Sequence, residues 1–192
     1  MYRFRKIYHI LRLFCILGGG KSVARYIKKH KIYGCIGDNC SIQTRRLPVY
    51  PNLVFLHDNV IIATDVRFVV HDAVSFMLNK KYNDFHFVER VGCIEIMNNV
   101  FVGAGTRILY NVRIGNNVII GAGSLINKDV PNNSVYAGVP AKYICSFDEY
   151  VRKARERIII WKQNFGKTFK LSEEICQQLY NEFCNIRKND IS

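Results

Sequence analysis

Apolar residues recur every six positions between Ile96 and Pro131. The position that opens each six-residue unit is always aliphatic, and these residues are Ile96, Val102, Ile108, Ile114, Ile120 and Ile126. The position four residues later is always β-branched or small, and these residues are Val100, Thr106, Val112, Val118, Ser124 and Val130. A period of six fits neither the 3.6-residue period of a helix nor the alternation of a half-buried strand. It predicts a solenoid in which each unit forms a short strand and a turn, and equivalent residues stack in a shared core.

Glycine and asparagine mark the turns of this repeat. Gly103, Gly115 and Gly121 each follow an inward aliphatic residue directly, where a side chain would crowd the bend. The pairs Asn98-Asn99 and Asn116-Asn117 lie at turns, where asparagine tolerates a left-handed backbone. These residues explain the scaffold, so function is expected from segments that depart from the repeat.

The same period appears earlier in the chain and is interrupted twice. One unit occupies residues 36–42, and the pattern returns over residues 56–68 after an excursion at 45–52. It stops again over residues 71–89. A loop of this length inside a compact solenoid is uncommon unless it has a function. The sequence therefore predicts a mainly β protein with one solenoid domain, residues 34–145, and a functional loop inserted at 71–89.

Both ends of the chain show helical spacing. In the N-terminal helical segment, residues 1–33, one face of the first helix has Phe4, Ile7, Leu11, Phe14 and Cys15 and the other has Arg5, Lys6, His9 and Arg12. We expect this helix to pack against the body of the protein or a neighbouring subunit, with peripheral attachment of residues 1–17 to an anionic membrane as the alternative. Residues 132–144 look irregular. Residues 146–192 predict two helices, broken near Gly166, that cap the open end of the solenoid.

The charge of the chain favours anionic partners. Lysine and arginine number 28 against 15 acidic residues, a formal net charge of +13, which suits a phosphate-bearing cofactor or substrate or a membrane surface. No nucleic-acid-binding motif accompanies the charge, so nucleic acid is not an expected partner. The seven cysteines are scattered without a CxxC motif and predict reduced core thiols in a cytoplasmic protein. Peripheral contact with the inner face of the membrane is left open.

Several motifs occur together with the repeat. They are the His71-Asp72 pair in the inserted loop, the small-residue turns 103–105 and 121–123, and the segments 128–131 and 137–142. In combination they resemble the hexapeptide-repeat acyltransferases, and within them the sugar O-acetyltransferases such as the galactoside, maltose and capsule or O-antigen enzymes. The resemblance implies a left-handed parallel β-helix, a homotrimer, and acetyl-CoA bound between adjacent subunits, with no metal required.

Acetyl transfer from a thioester to a hydroxyl needs a base, and histidine titrates near neutral pH. Of the five histidines, His9 and His30 lie in basic helical segments, and His57 occupies an outward position of a repeat. His71 and His86 lie in the inserted loop, and His71 matches the catalytic histidine of the resembled family. We therefore predict His71 as the general base, with ordinary loop packing as the alternative, and His86 as a substrate contact.

Two carboxylates are candidates beside this base. Asp72 could orient the imidazole or stabilise its charged form, but it could also contact the acceptor or cap a turn, because neighbouring residues of a strand point to opposite faces. Glu95 is a further substrate-binding candidate, near the point where coiling resumes.

The resemblance also implies a set of coenzyme contacts. The turns Gly103-Ala104 and Gly121-Ala122 would lie along the pantetheine arm, and a backbone N–H there would stabilise the oxyanion. Phe101 stands where sugar acetyltransferases often have tryptophan and would form an aromatic wall. Lys128 and Lys142 correspond to positions that meet the phosphates of CoA, unless they are simply solvated surface.

The predicted function is acetyl-CoA-dependent O-acetylation of a hydroxyl on a sugar or glycan precursor. N-acetylation of an amino sugar or nucleotide sugar, or of a xenobiotic, remains an alternative because the same base serves an amine. A γ-class carbonic anhydrase would share the β-helix but needs three zinc-binding histidines. A non-catalytic or bactofilin-like scaffold would have no reason to place His71 on a long insertion.

Overall fold

A computed structural model of the chain describes residues 2–165 and 172–188, which divide into two compact units, Met1–Asp148 and Glu149–Ser192. The first unit contains the predicted solenoid. Its coils have three strand faces, which we name A, B and C in the order in which the chain passes through them. The corners between them are the A–B, B–C and C–A corners.

The strands of each face are parallel to one another. Face A consists of β1 (Cys35–Ile36), β3 (Val54–Leu56), β8 (Ile94–Ile96) and β11 (Val112–Ile114). Face B begins with β2 (Ser41–Ile42), β4 (Val60–Ile62), β9 (Val100–Val102) and β12 (Val118–Ile120). Face C consists of β5 (Arg67–Val69), β10 (Arg107–Leu109) and β13 (Leu125–Ile126). Equivalent positions pair across neighbouring coils, as in the series Ile62, Val102 and Ile120.

The core is made of the residues that the six-residue period places inward. All twelve predicted inward residues between 96 and 130 are at most 4% exposed. Two of them are polar, and their hydroxyls are satisfied, because Thr106 and Ser124 both donate to the carbonyl of Gly121, at 3.2 and 2.6 Å. Stacking of these positions buries apolar area coil after coil, which is the main stabilising contribution in such a fold.

The A–B corner has two ladders of asparagine. The residues with left-handed backbone are Asn59, Asn99, Asn117 and Asn133, with φ between 54° and 59°. Their side-chain amides bond from coil to coil at 2.8–2.9 Å. Asn98 and Asn116 are not left-handed. Their side-chain oxygens instead accept backbone N–H groups of the preceding coil, at 2.9 and 3.1 Å.

Two helices precede the first coil, α1 (Tyr2–Cys15) and α2 (Gly20–Lys29). The orientation of α1 corrects the expectation for its faces. His9, predicted on the polar face, is only 8% exposed and its Nδ1 lies 2.9 Å from the hydroxyl of Tyr26. Ile7, Leu11 and Phe14 are instead 53–65% exposed. The side chains of Phe4, Arg5 and Lys6 lie outside the described part of the chain.

The physical reason is that polar bonds fix the rotation of α1. The guanidinium of Arg45 donates to the carbonyls of Leu13, Ile16 and Gly18, at 2.6, 3.1 and 3.3 Å, and so satisfies carbonyls at the C-terminal end of the helix. Leu13 is thereby fully buried in the core. Among the described residues, no helix combines the length and apolarity needed to cross a bilayer.

Three further elements depart from the sequence prediction. The loop 71–89 contains a helix, α3 (Val74–Lys81), and is closed at its base by β6 (His71–Asp72) and β7 (Arg90–Val91), which pair antiparallel. Residues 132–144 are not irregular, because β14 (Ser134–Ala137) and β15 (Lys142–Ser146) form an antiparallel hairpin at the end of face B. A 3₁₀ turn, Pro51–Leu53, lies within the first excursion.

Two helices follow the β-helix, α4 (Phe147–Phe165) and α5 (Glu173–Lys188). Gly166, where the break between them was predicted, lies outside the described residues, and the capping role of these helices stays a prediction. The cysteines are free, as expected, but the prediction of core thiols was wrong for most of them. Cys40 is buried, whereas Cys15, Cys35, Cys93 and Cys176 are exposed.

Candidate active site

His71 lies at the C–A corner, where the chain leaves face C. Val70 before it is fully buried, and His71 itself pairs with Val91 in the antiparallel base of the insertion. We name residues 73–89 the arm. Because the backbone is held by the core on one side and by the strand pair on the other, the imidazole projects from a fixed point, and its side chain is 26% exposed.

A carboxylate and an aromatic ring flank this imidazole. Oε1 of Glu89 lies 3.6 Å from Nε2 of His71, and Oε2 of Glu89 accepts a 2.8 Å hydrogen bond from the hydroxyl of Tyr50. The ring of Tyr50 meets the imidazole edge-on, with centroids 5.6 Å apart. A carboxylate in this place orients an imidazole. Neither Glu89 nor Tyr50 was predicted from the sequence as a site residue, and the only signal for Glu89 is its position directly before β7.

Asp72 makes different contacts. Its Oδ2 accepts a hydrogen bond from the hydroxyl of Tyr110 at 2.8 Å, and its Oδ1 accepts one from the N–H of Val74 at 3.1 Å. These bonds, that of Tyr110 first, hold the pKa of the Asp72 carboxyl below its ordinary value. Tyr110 belongs to the C–A corner of the next coil, so Asp72 ties the start of α3 to that coil. Of the roles considered for Asp72, these two hydrogen bonds correspond to the capping of a turn.

Glu95 and His86 are not brought together with His71. Glu95 lies on face A, where Oε1 is 3.0 Å from Nε2 of His57 and Oε2 is 2.7 Å from Nε of Arg113. These two partners, His57 first, lower the pKa of Glu95. His57 faces outward, as predicted. His86 is exposed on the arm, and none of the hydrogen bonds or ion pairs found for residues 2–165 and 172–188 joins it to His71.

The small-residue turns stack on one another at the B–C corner. A Cβ added to Gly103 would lie 2.5 Å from the backbone nitrogen of Ala122, and one added to Gly121 would lie 2.8 Å from Cβ of Ala137. Real Cβ atoms do not approach other heavy atoms this closely, and neither the backbone nitrogen of Ala122 nor the Cβ of Ala137 can rotate away, so close stacking of the coils already requires glycine at both positions. This gives the glycines a structural role whether or not a coenzyme binds there.

The backbone amides at these turns differ in availability. Gly103 and Gly121 donate their N–H groups to carbonyls of the next coil, at 2.9 and 2.8 Å. In the described part of the chain, no backbone hydrogen bond uses the N–H of Ala104 or Ala122. The N–H groups of the two alanines are therefore better candidates for the predicted oxyanion donor than the N–H of Gly103.

The remaining coenzyme candidates fall on two corners. Phe101 faces outward from β9 and is 41% exposed. Lys142 begins β15 and pairs with Ala137, the neighbour of the Gly121 turn. Lys128 follows β13 at the C–A corner, two coils beyond His71, which corresponds to about 10 Å at the usual strand spacing. Phe101, Lys142 and the small-residue turns thus lie on the B side, whereas His71 and Lys128 share the C–A corner.

A cleft of about 540 Å³ opens beside His71 along β5, within the usual size of ligand sites. Its walls come from β5, from residues 45–49 of the first excursion and from α1. Three arginines, Arg45, Arg46 and Arg67, line it together with apolar side chains. His71 is the one histidine among the lining residues, so a substrate bound here would lie beside its imidazole.

Comparison with known proteins gives a consistent result. The family described as bacterial transferase hexapeptide (six repeats) matches residues 94–128. Protein CapG of Staphylococcus aureus is 39% identical over 124 residues, which span 63% of this chain and 70% of CapG. A galactoside O-acetyltransferase of Lactococcus lactis is 31% identical over 138 residues, with 57% of this chain and 61% of that protein covered.

A solved structure agrees with the sequence relatives. Galactoside acetyltransferase in complex with coenzyme A superposes with a TM-score of 0.61 at 25% identity, covering 78% of this chain and 82% of that one. The likeness implies the left-handed coiling expected from the resemblance. With its period-six core, its stacked small-residue turns and these relatives, the chain belongs to the hexapeptide-repeat acetyltransferases.

Proposed function

We propose that this enzyme transfers an acetyl group from acetyl-CoA to a hydroxyl of a sugar or glycan precursor, with His71 as the general base. The observation that carries the proposal is the position of the imidazole, fixed at the base of the arm, 3.6 Å from Glu89 and in the wall of a cleft. The relatives named as galactoside acetyltransferases, one of them in complex with coenzyme A, support the donor and the sugar acceptor.

The chemistry follows from the surroundings of His71. The imidazole takes the proton of the acceptor hydroxyl while the oxygen forms a bond to the thioester carbon. The positive charge that the ring gains is stabilised by the carboxylate of Glu89. When the carbon–sulfur bond breaks, the imidazolium returns the proton to the sulfur, so that the products are the acetyl ester and free CoA thiol. The N–H of Ala104 or Ala122 is the proposed donor to the oxyanion.

A site shared between subunits accounts for the two separate corners. A three-residue strand of face C spans about 10 Å, so His71 and the small-residue turns of one chain face different directions. We propose a homotrimer in which the B side of one subunit, with Phe101 and Lys142, meets the C–A corner of the next, with Lys128 near the CoA phosphates. The arm exposes Phe76, Phe85 and Val88 by 65–76%, which suits a surface covered by assembly. Sedimentation equilibrium of the full chain should give the mass of three chains, and a monomer at micromolar concentration would contradict the proposal.

The test compares two histidines. Thiol release from acetyl-CoA is followed with a panel of sugars, nucleotide sugars and glycan fragments, for the wild type, His71→Ala and His57→Ala. His57 is a matched control because it is also an outward imidazole beside a carboxylate, 3.0 Å from Glu95, but lies on face A. We expect His71→Ala to lose about two or more orders of magnitude in kcat and His57→Ala to keep wild-type turnover. Equal turnover by all three proteins would contradict the base assignment, and acetylation of amines alone would replace O-acetylation by N-acetylation.

A further inference from the structure

The lining of the cleft beside His71 combines basic and apolar side chains. We name Arg46 and Arg67 its basic wall and Leu47, Val49 and Phe14 its apolar wall. The cleft exists because the first coil has a loop where a face C strand would lie, so β5 ends the sheet of face C and the loop 45–49 runs beside it. A diphosphate would match the two guanidinium groups, and an apolar chain would match the apolar side chains, better than a neutral sugar alone would.

Neighbouring carboxylates compensate only part of the positive charge of the basic wall. Nε of Arg46 and Nε of Arg67 lie 3.3 and 3.6 Å from the same oxygen, Oδ1 of Asp65. Both ion pairs are largely solvent-exposed, with side chains 44–63% accessible, so they add little stability and leave the guanidinium groups able to bind an anion. Arg67 also pairs in register with Arg107 of β10. Like charges side by side on a sheet are unfavourable, and a phosphate oxygen bound at Arg67 would reduce that cost.

The apolar wall continues onto the surface. Val49 is 41% exposed and Phe14 is 65% exposed. Phe14 belongs to the exposed side of α1 that also has Ile7 and Leu11, at 53% and 62%. An apolar chain that leaves the cleft along Phe14 would therefore meet further apolar side chains, together with the net positive charge of the protein, as at an anionic membrane surface.

We propose, on the basis of the proposed function, that the acceptor is a saccharide joined through a diphosphate to an apolar lipid chain. The sugar hydroxyl meets His71, the diphosphate binds between Arg46 and Arg67, and the first part of the lipid lies along Leu47, Val49 and Phe14. A nucleotide sugar would engage the two arginines in the same way but would set a polar nucleoside against the apolar wall. The two acceptors therefore share the phosphate chemistry and differ at Phe14.

The first experiment measures binding without catalysis. Isothermal titration of the full chain uses farnesyl diphosphate, inorganic pyrophosphate and farnesol as probes. Arg46→Gln/Arg67→Gln should weaken the binding of both farnesyl diphosphate and pyrophosphate by about tenfold or more. Phe14→Ser should weaken the binding of farnesyl diphosphate alone by a similar factor. A tenfold change corresponds to about 1.4 kcal/mol of binding free energy. The control Arg25→Gln/Lys29→Gln removes two exposed charges of α2 and should change neither by more than about twofold. An equal loss in that control, or no loss in the two cleft variants, would overturn the proposal.

The second experiment compares acceptors. The same hexoses are offered as methyl glycosides, as uridine diphosphate sugars and as farnesyl diphosphate-linked sugars. We expect kcat/KM to be about tenfold or more higher for the lipid-linked form, and Arg46→Gln/Arg67→Gln to raise KM for that acceptor without raising KM for acetyl-CoA. A preference for methyl glycosides or for uridine diphosphate sugars, or a rise in KM confined to acetyl-CoA, would overturn the proposal.

The acceptor assignment and the proposed function can be contradicted independently of each other. If neutral sugars are acetylated with full dependence on His71 while farnesyl diphosphate neither binds nor competes, the acceptor assignment is wrong and the proposed function stands. If farnesyl diphosphate binds with the predicted dependence on Arg46, Arg67 and Phe14 but no hydroxyl is acetylated, the proposed function is wrong and the cleft remains a site for diphosphate lipids.

Discussion

Replacing Glu89 with glutamine tests how far the reactivity of His71 depends on its neighbouring carboxylate. The substitution keeps the size of the side chain and its ability to accept the 2.8 Å hydrogen bond from Tyr50. It removes the negative charge and turns an amide group, in place of a carboxylate oxygen, toward the imidazole. In the proposed mechanism the imidazole is neutral before the reaction and positively charged during it. The lost attraction should therefore raise the barrier rather than weaken substrate binding.

The magnitude follows from the geometry. Two unit charges separated by the 3.6 Å between Nε2 and Oε1 attract by about 4–5 kcal/mol at an effective dielectric constant of about 20, which is an upper limit. Fully exposed pairs contribute only about 0.2–1 kcal/mol. The side chains of His71 and Glu89 are 26% and 28% exposed, which places this pair between the two limits. We expect a loss of about 1.4–2.8 kcal/mol, or ten- to a hundredfold in kcat.

The assay is steady-state acetyl transfer to the best acceptor of the panel, with kcat and both KM values measured for the wild type, Glu89→Gln and Asp38→Asn. The control removes a carboxylate that pairs with Lys28 at 2.6 Å on the surface of the first coil. Glu89→Gln should lower kcat and leave both KM values within about twofold, and Asp38→Asn should change nothing. A wild-type kcat in Glu89→Gln, with the same melting temperature, would refute the argument that the carboxylate stabilises the charged imidazole.

Two further predictions concern the scaffold around the site. Gly103→Ala would place a Cβ 2.5 Å from the backbone nitrogen of Ala122 and should lower the free energy of unfolding by about 1–3 kcal/mol, measured by thermal unfolding. A melting temperature equal to that of the wild type would contradict the close stacking of the coils. Tyr110→Phe removes the main cause of the lowered pKa of Asp72, so a carboxyl carbon NMR titration should show that pKa rising toward the ordinary 3.8. A depressed carboxyl pKa contributes its full stabilisation above the ordinary pKa, and this contribution is lost as the pH falls through the pKa of the folded state. Tyr110→Phe should therefore be less stable than the wild type at neutral pH, and the difference should shrink at acid pH. An unchanged titration of Asp72 would contradict the prediction.

The regular part of the fold could be predicted from the sequence because one rule repeats in every coil. Ile108, for example, pairs in register with Phe68 on one side and Ile126 on the other, each an equivalent position of a neighbouring coil, so its inward position follows from the period alone. The pattern holds even where the inward residue is polar, because the hydroxyl of Ser124 donates to a carbonyl inside the core. No comparable rule describes α1, where the bond between His9 and Tyr26 and the contacts of Arg45 decided which side of the helix is buried.

The candidate site was only partly predictable. His71 could be proposed as the base because histidine chemistry and its place in the insertion point to it. Glu89 could not, because it approaches His71 only through the antiparallel pairing of β6 with β7, and that pairing leaves no period in the sequence. The helix α3 was missed for a similar reason: Phe76 and Met77 are 67% and 56% exposed, so its apolar residues do not follow the pattern of a helix that packs on a core.

The two lapses of the repeat nevertheless have a common geometric origin. Three six-residue units make one coil, so Ile36 and Ile42 belong to faces A and B, and the first lapse falls where a face C strand would lie. Phe68 belongs to face C, and the second lapse falls at the following corner. Lapses in adjacent coils at the same edge must be neighbours in space, because equivalent positions stack about 4.8 Å apart. The loop that supplies Arg46 and the insertion that supplies His71 therefore meet at one cleft, and counting units by threes would have predicted that meeting from the sequence.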